Sequence, residues 1–174
     1  LAVRDPDYFE LMPKPRGMYN AMDAKRMAAF LGIPFARPQP DPVVFEENRL
    51  RPLENQPYIH RLSRLGALAC DRGQGMAFVG AVTPMMWGGS VAGWDKGTHL
   101  ADAVASAGLD LSAMEEKIAA RSDHYDAIIA ENERRLAEVG HWGVPTFAVS
   151  GEAFFGQDRL DVLKWRLDQL GARR

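Results

Sequence analysis

The chain has 174 residues, the length of one ordinary domain, and 47% of them are hydrophobic, enough to build a real core. Its 21 Lys and Arg against 23 Asp and Glu leave a net charge of −2, without the basic excess that marks a nucleic-acid binder. The apolar runs fall far short of the roughly 20 residues a membrane span needs, and no signal-peptide pattern is visible, so neither nucleic acid nor a membrane is an expected partner.

A single cysteine, Cys70, allows no internal disulfide, which fits a reducing cytoplasm as the expected location. The opening Leu1-Ala2-Val3-Arg4-Asp5-Pro6 reads as the end of a strand running into a turn, and the first residue is not Met. The natural chain is therefore expected to begin upstream. Residues 5–16 hold three prolines and read as loop. From Gly17 to Gly32, Met18, Ala21, Met22, Met27, Phe30 and Leu31 recur at helical spacings, and Gly32 is a stop signal. Residues 33–57 carry Pro34, Pro38, Pro40, Pro42, Pro52 and Pro57, a density that forbids a long helix or a central strand. An extended connection is expected there.

Residues 58–72 read as a helix with Ile59, Leu62, Leu65, Leu68 and Ala69 on one face, broken by Gly73 and Gly75. Residues 76–87 are apolar nearly all round, which predicts a buried helix. Helices follow at 97–107, 111–120 and 122–139, joined by short connections. After Gly140 the character changes. Residues 144–150, Val-Pro-Thr-Phe-Ala-Val-Ser, read as a strand, Gly151-Glu152 as a turn, and Ala153-Phe154-Phe155 as a second strand. A last helix starts near Asp158, with Leu160, Leu163, Leu167 and Leu170 on its apolar face, Val162 and Trp165 beside it, and Gly171 at its end.

Pro145 opens the hairpin, where a proline after a loop is tolerated. A trans bond is the default for an isolated Val-Pro. With a cis bond, the backbone groups of Val144 turn outward and can pair with an extended peptide as an added strand does. Gly156 can take a positive φ and allow close backbone approach. The N–H groups that start the last helix favour a carboxylate, and Asp158 beside them suits an ammonium. One carboxylate and one ammonium on adjacent atoms describe the γ-glutamyl end of glutathione. The plain alternative is that Asp158 caps the helix.

Gly143-Val144-Pro145-Thr146, followed by Phe154-Phe155-Gly156-Gln157-Asp158-Arg159-Leu160, resembles the C-terminal signature of the 2-hydroxychromene-2-carboxylate isomerase and kappa-class glutathione transferase group. The stretch from Arg16-Gly17-Met18-Tyr19 through Asp23 to Leu31-Gly32-Ile33-Pro34 is similar to the segment that enters the helical insertion in that group. The likeness covers both ends well and the middle only as a succession of helices. It implies an α/β thioredoxin-like fold with a large all-helical insertion of the DsbA and kappa type. The thioredoxin-like domain would be residues 1–57 and 140–174 and the insertion 58–139. The first strand and first helix of that fold have no counterpart in this sequence.

The resemblance further implies glutathione as cofactor, a small aromatic substrate and a homodimer. Val144 would pair its backbone with the cysteinyl part of glutathione, with Pro145 cis, while Gln157 and Asp158 hold the γ-glutamyl end. Arg16 lies where kappa transferases carry a lysine near glutathione. The group's catalytic serine follows the first strand, so the catalytic residue is expected upstream of Leu1 and is not identified here. The implied activity is a glutathione-dependent isomerase of aromatic catabolism. The alternatives are a DsbA-type thiol-disulfide oxidoreductase, a kappa-like glutathione transferase, and a non-catalytic glutathione-binding remnant.

Other residues read as structural. Cys70 is expected to be a buried small hydrophobe, and Met76, Met85 and Met86 to be core. His60, His99, His124 and His141 show no metal-ligand spacing, and His141, just before Trp142 and the proline loop, reads as a solvated loop residue first and as a residue lining the site second. Trp87, Trp94 and Trp142 read as packing first and as a substrate pocket second. Tyr19 and Asp23 share one helix face, as a surface pair or a site-facing pair.

Overall fold

A computed structural model describes residues 7–47 and 51–172, so the strand end expected at the start of the chain lies outside the described residues. The chain forms two compact units that divide between Tyr125 and Asp126.

The first unit starts with two helices, α1 (Tyr8–Leu11) and α2 (Lys14–Phe30), where loop was expected up to residue 16. Pro15 explains the early start of α2: in the first turn its missing N–H has no intrahelical acceptor to lose. Arg51 ties α1 down through Asp7 at 2.8 Å and Glu10 at 2.6 Å. Gly32, at φ 64°, stops α2 as expected. Its N–H donates to Ala29 O and the Ile33 N–H reaches back to Ala28 O, the Schellman arrangement.

The proline-rich stretch is extended, and its backbone groups are satisfied piecemeal rather than by a ladder. Buried Gln56 substitutes for a strand partner: its amide accepts from Val44 N–H at 2.9 Å and donates to Val44 O and Leu53 O, both at 2.7 Å. The Ala36 N–H donates to Trp87 O, and the buried Trp94 indole donates to Pro40 O at 2.7 Å. The Gln39–Pro40 bond is cis.

Helices α3 (Ile59–Asp71), α4 (Gly75–Trp87), α5 (His99–Ser106) and α6 (Leu111–Ala120) carry the core of this unit. Leu65, Leu68 and Ala69 of α3 are buried with Phe78, Val82 and Met86 of α4, Leu100 and Val104 of α5, and Met114 and Ile118 of α6. Each large apolar side chain buried in this way contributes about 1.5–3 kcal/mol.

Two expectations are corrected here. The α4 helix is not buried all round; Phe78, Val82 and Met86 form one stripe at i, i+4 and i+8, while Met76 is 85% exposed and Val79 faces out. Composition alone hides which face meets the core. Cys70 is exposed, since it lies one residue, about 100° of helix, beyond Ala69 and off the buried stripe.

Helix α7 (Ser122–Glu138) leads into the second unit. There β1 (Thr146–Val149) and β2 (Glu152–Phe155) pair antiparallel, with Thr146 opposite Phe155 and Val149 opposite Glu152. The turn is Ser150-Gly151, at φ 50° and 80°, one residue earlier than expected. Positive φ at both positions matches the twist of a two-residue hairpin. A 3₁₀ turn, Gln157–Arg159, runs into α8 (Leu160–Gln169), and Gly171 at φ 71° follows its end. An ion pair between Arg166 of α8 and Glu152 of β2 fastens the helix to the hairpin. Every regular element between Ile59 and Glu138 is a helix, and none in the described residues is long and apolar enough to cross a membrane.

Candidate functional site

Four of the five residues singled out in the sequence, Val144, Pro145, Gln157 and Asp158, lie in the second unit around one turn. Arg16 lies in the first unit, exposed in the first turns of α2. On that same helix Tyr19 is exposed and Asp23 pairs with Arg26 at 3.7 Å, as a surface pair does.

The loop before β1 is anchored on both sides of Val144. The Gly143 N–H donates to Nδ1 of His141 at 2.9 Å. The Thr146 hydroxyl donates to Gly143 O at 2.6 Å, and the Gly156 N–H donates to Pro145 O at 3.0 Å. Between these anchors sits Val144, 76% exposed, whose backbone N–H and C=O make no hydrogen bond among the described residues. The Val144–Pro145 bond is cis.

At Gly143 the backbone lies close against its neighbours. An ideal Cβ there would lie 2.6 Å from Cε2 of Phe155 and 3.3 Å from Cε1 of His141. The rings close around it: His141 stacks on Phe155 at 4.3 Å and on Trp142 at 5.3 Å.

The bond from Gly156 to Pro145 brings the second half of the signature beside the first. Gly156 takes φ 95° and ψ 158°, a region open to glycine and costly for any other residue. An ideal Cβ on it would sit 2.6 Å from Oδ1 of Asp158. Among the described residues the Asp158 carboxylate accepts no backbone hydrogen bond, so it does not act as the helix cap that was its plain alternative. It pairs with the Arg159 guanidinium at 3.0 Å instead, with both side chains more than half exposed. The N–H groups of Gln157 and Asp158 have no acceptor among the described residues and open the turn toward solvent.

Two residues have a role here that the sequence did not assign them. His141 is half-buried in a stack and bonded to Gly143, not a solvated loop histidine. Thr146 holds the carbonyl side of the same glycine. Their spacing is the available signal: a side chain two residues before a glycine and one three residues after it can each reach that glycine's backbone. No group of three or more His, Cys, Asp or Glu among the described residues is placed to hold a metal ion.

A proline entering a hairpin, a glycine turn bonded back to it and a closing helix describe the C-terminal half of a thioredoxin-type fold. The family model of the DSBA-like thioredoxin domain matches residues 5–168, and the chain belongs to that family. It is also similar to a solved 2-hydroxychromene-2-carboxylate isomerase, at 25% identity and a TM-score of 0.62, over 92% of this chain and 72% of that one. No curated protein matches it by sequence. The fold is thus the DsbA-like thioredoxin fold, largely helical with a small antiparallel sheet.

Proposed function

We propose that the chain is a glutathione-dependent isomerase of aromatic breakdown, acting on 2-hydroxychromene-2-carboxylate or a compound of the same class. The observation that carries this reading is exposed Val144, whose backbone makes no hydrogen bond among the described residues, beside the Gly156-Gln157-Asp158 turn. The similarity to a solved 2-hydroxychromene-2-carboxylate isomerase supports the same choice.

The residues present fit glutathione. Val144 offers one donor and one acceptor to an extended peptide, as an edge strand does. The N–H groups of Gln157 and Asp158 face a carboxylate, and the Asp158 carboxylate faces an ammonium, the two charges of a γ-glutamyl group. Gly156 leaves this cradle open, because a Cβ there would press against Asp158. Arg16 is assigned to the tripeptide by the family resemblance.

When bound, glutathione would supply a thiol nucleophile beside the substrate. This chain's own share is to hold the tripeptide extended along Val144, anchor its charged end at Asp158 and so aim the thiol. Fixing two reactants in register removes much of the entropy cost of their encounter. Residues 58–139, all helical where regular, are proposed as the insertion domain.

The test is isomerisation of 2-hydroxychromene-2-carboxylate by the protein at its natural length, followed by absorbance, with and without glutathione. Turnover that requires glutathione is the expected result. Tight glutathione binding without turnover would reduce the protein to a binding module. Disulfide reduction in the absence of glutathione would assign it to the oxidoreductases of the superfamily.

A further inference from the structure

The Gly143 peptide is gripped on both sides. Its N–H donates to His141 Nδ1 at 2.9 Å, and its carbonyl accepts from the Thr146 hydroxyl at 2.6 Å. The first bond fixes the tautomer. A backbone N–H can only donate, so Nδ1 must carry a lone pair, and the ring proton sits on Nε2. The Thr146 oxygen, 3.4 Å from the same nitrogen, has already committed its proton to the carbonyl.

Both grips act on Val144. The Gly143 carbonyl and the Val144 N–H belong to one planar peptide, so fixing the oxygen fixes the direction of the N–H opposite it. The His141 bond sets the peptide plane before that one. The imidazole is itself held, stacked on Phe155 at 4.3 Å and on Trp142 at 5.3 Å. Gly143, Thr146, Trp142 and Phe155, which bond to or stack on the ring, carry no charge.

We propose that His141 is a positioning residue: as a neutral Nε2–H imidazole it accepts from the Gly143 amide and so holds the Val144 backbone in the orientation that receives an extended thiol peptide. This rests on the glutathione reading above. His141 touches neither thiol nor substrate in this role; it acts through Gly143.

Two variants separate the acceptor from the ring. His141→Phe keeps the stack and removes the acceptor. His141→Asn removes the ring and places a carbonyl oxygen close to where Nδ1 stood. Three readouts apply to the folded proteins, checked by melting curves: nitrogen NMR of the imidazole, hydrogen exchange of the Gly143 amide, and calorimetric titration with glutathione. The wild-type imidazole should show the Nε2–H form. Gly143 exchange should quicken, and glutathione affinity fall, by about two- to tenfold in His141→Phe, the range of one neutral hydrogen bond. Both should return to within about twofold of wild type in His141→Asn.

An Nδ1–H tautomer in the wild type would overturn the proposal. So would His141→Phe with unchanged exchange and affinity, or His141→Asn falling as far as His141→Phe, which would assign the effect to ring packing. A wild-type protein that takes up no glutathione would refute the functional reading instead. The tautomer and the Gly143 exchange would then still decide whether His141 sets this loop.

Discussion

Replacing Asp158 by Asn changes one charge and almost no shape, which makes it the cleanest probe of the γ-glutamyl anchor. In the free protein the carboxylate is 65% exposed and lies 3.0 Å from the Arg159 guanidinium. Exposed pairs of this kind contribute about 0–1 kcal/mol, so losing that pair should leave stability nearly unchanged. No capping bond is at stake, since the carboxylate accepts none. A charge-assisted hydrogen bond to an ammonium is worth about 1.5–3 kcal/mol, and solvent access at this site argues for the lower part of that range. A loss of about 1.5–2 kcal/mol corresponds to a roughly twelve- to thirtyfold weaker Kd for glutathione. Calorimetric titration of wild type and Asp158→Asn, paired with melting curves, reads both quantities. An unchanged Kd in a stably folded variant refutes the anchoring role. A large drop in Tm would show that Asp158 is structural after all.

Three further outcomes are expected. Gly156→Ala forces a Cβ to within 2.6 Å of Asp158 Oδ1 at φ 95°, so the variant should lose about 1–3 kcal/mol in denaturant unfolding and bind glutathione more weakly; wild-type behaviour in both would show the turn to be unconstrained. Leu65→Ala, at a side chain with 0% exposure, should cost about 2–5 kcal/mol in the same assay, and a loss below about 1 kcal/mol would contradict the core assignment. Hydrogen bonds from Arg134 and then Arg135 hold the Glu131 carboxyl down from 4.5 to about 2. Because the folded value is depressed, the stability this group contributes is complete above pH 4.5 and fades as pH falls toward 2; an NMR titration of its carboxyl carbon with a midpoint near 4.5 would contradict the pairing.

The parts of the fold legible in the sequence were those with a local physical cause. Gly32 and Gly171 mark helix ends because the residue after a helix often needs positive φ, and both have it. The prolines from 34 to 57 rule out ladder and helix wherever the chain folds. The turn at Ser150-Gly151 was displaced by one residue because serine at φ 50° carries no signal of its own. The faces of α4 were illegible for a different reason. Met76 and Met86 have the same side chain, and only the packing of α3 and α5 decides that one is exposed and the other buried.

The site divides in the same way. Pro145, Gly156 and Asp158 announce themselves by residue type at fixed offsets, so the loop and turn were readable. His141 was not, because its role depends on a single bond to Gly143, and a spacing of two residues from a glycine permits that bond without requiring it. The helix cap offered for Asp158 failed because the chain enters α8 through a 3₁₀ turn, which places Asp158 inside the turn and Arg159 at the cap position.

The central claim is that the Val144 backbone and the Gly156–Asp158 turn together receive glutathione. Amide chemical-shift mapping with S-methylglutathione, which binds without thiol chemistry, tests it most directly. The expected result is saturable shifts concentrated at Val144, Gln157 and Asp158, with new protection of the Val144 amide from hydrogen exchange. Absence of saturable shifts, or shifts that leave Val144 and its exchange rate untouched, would contradict it.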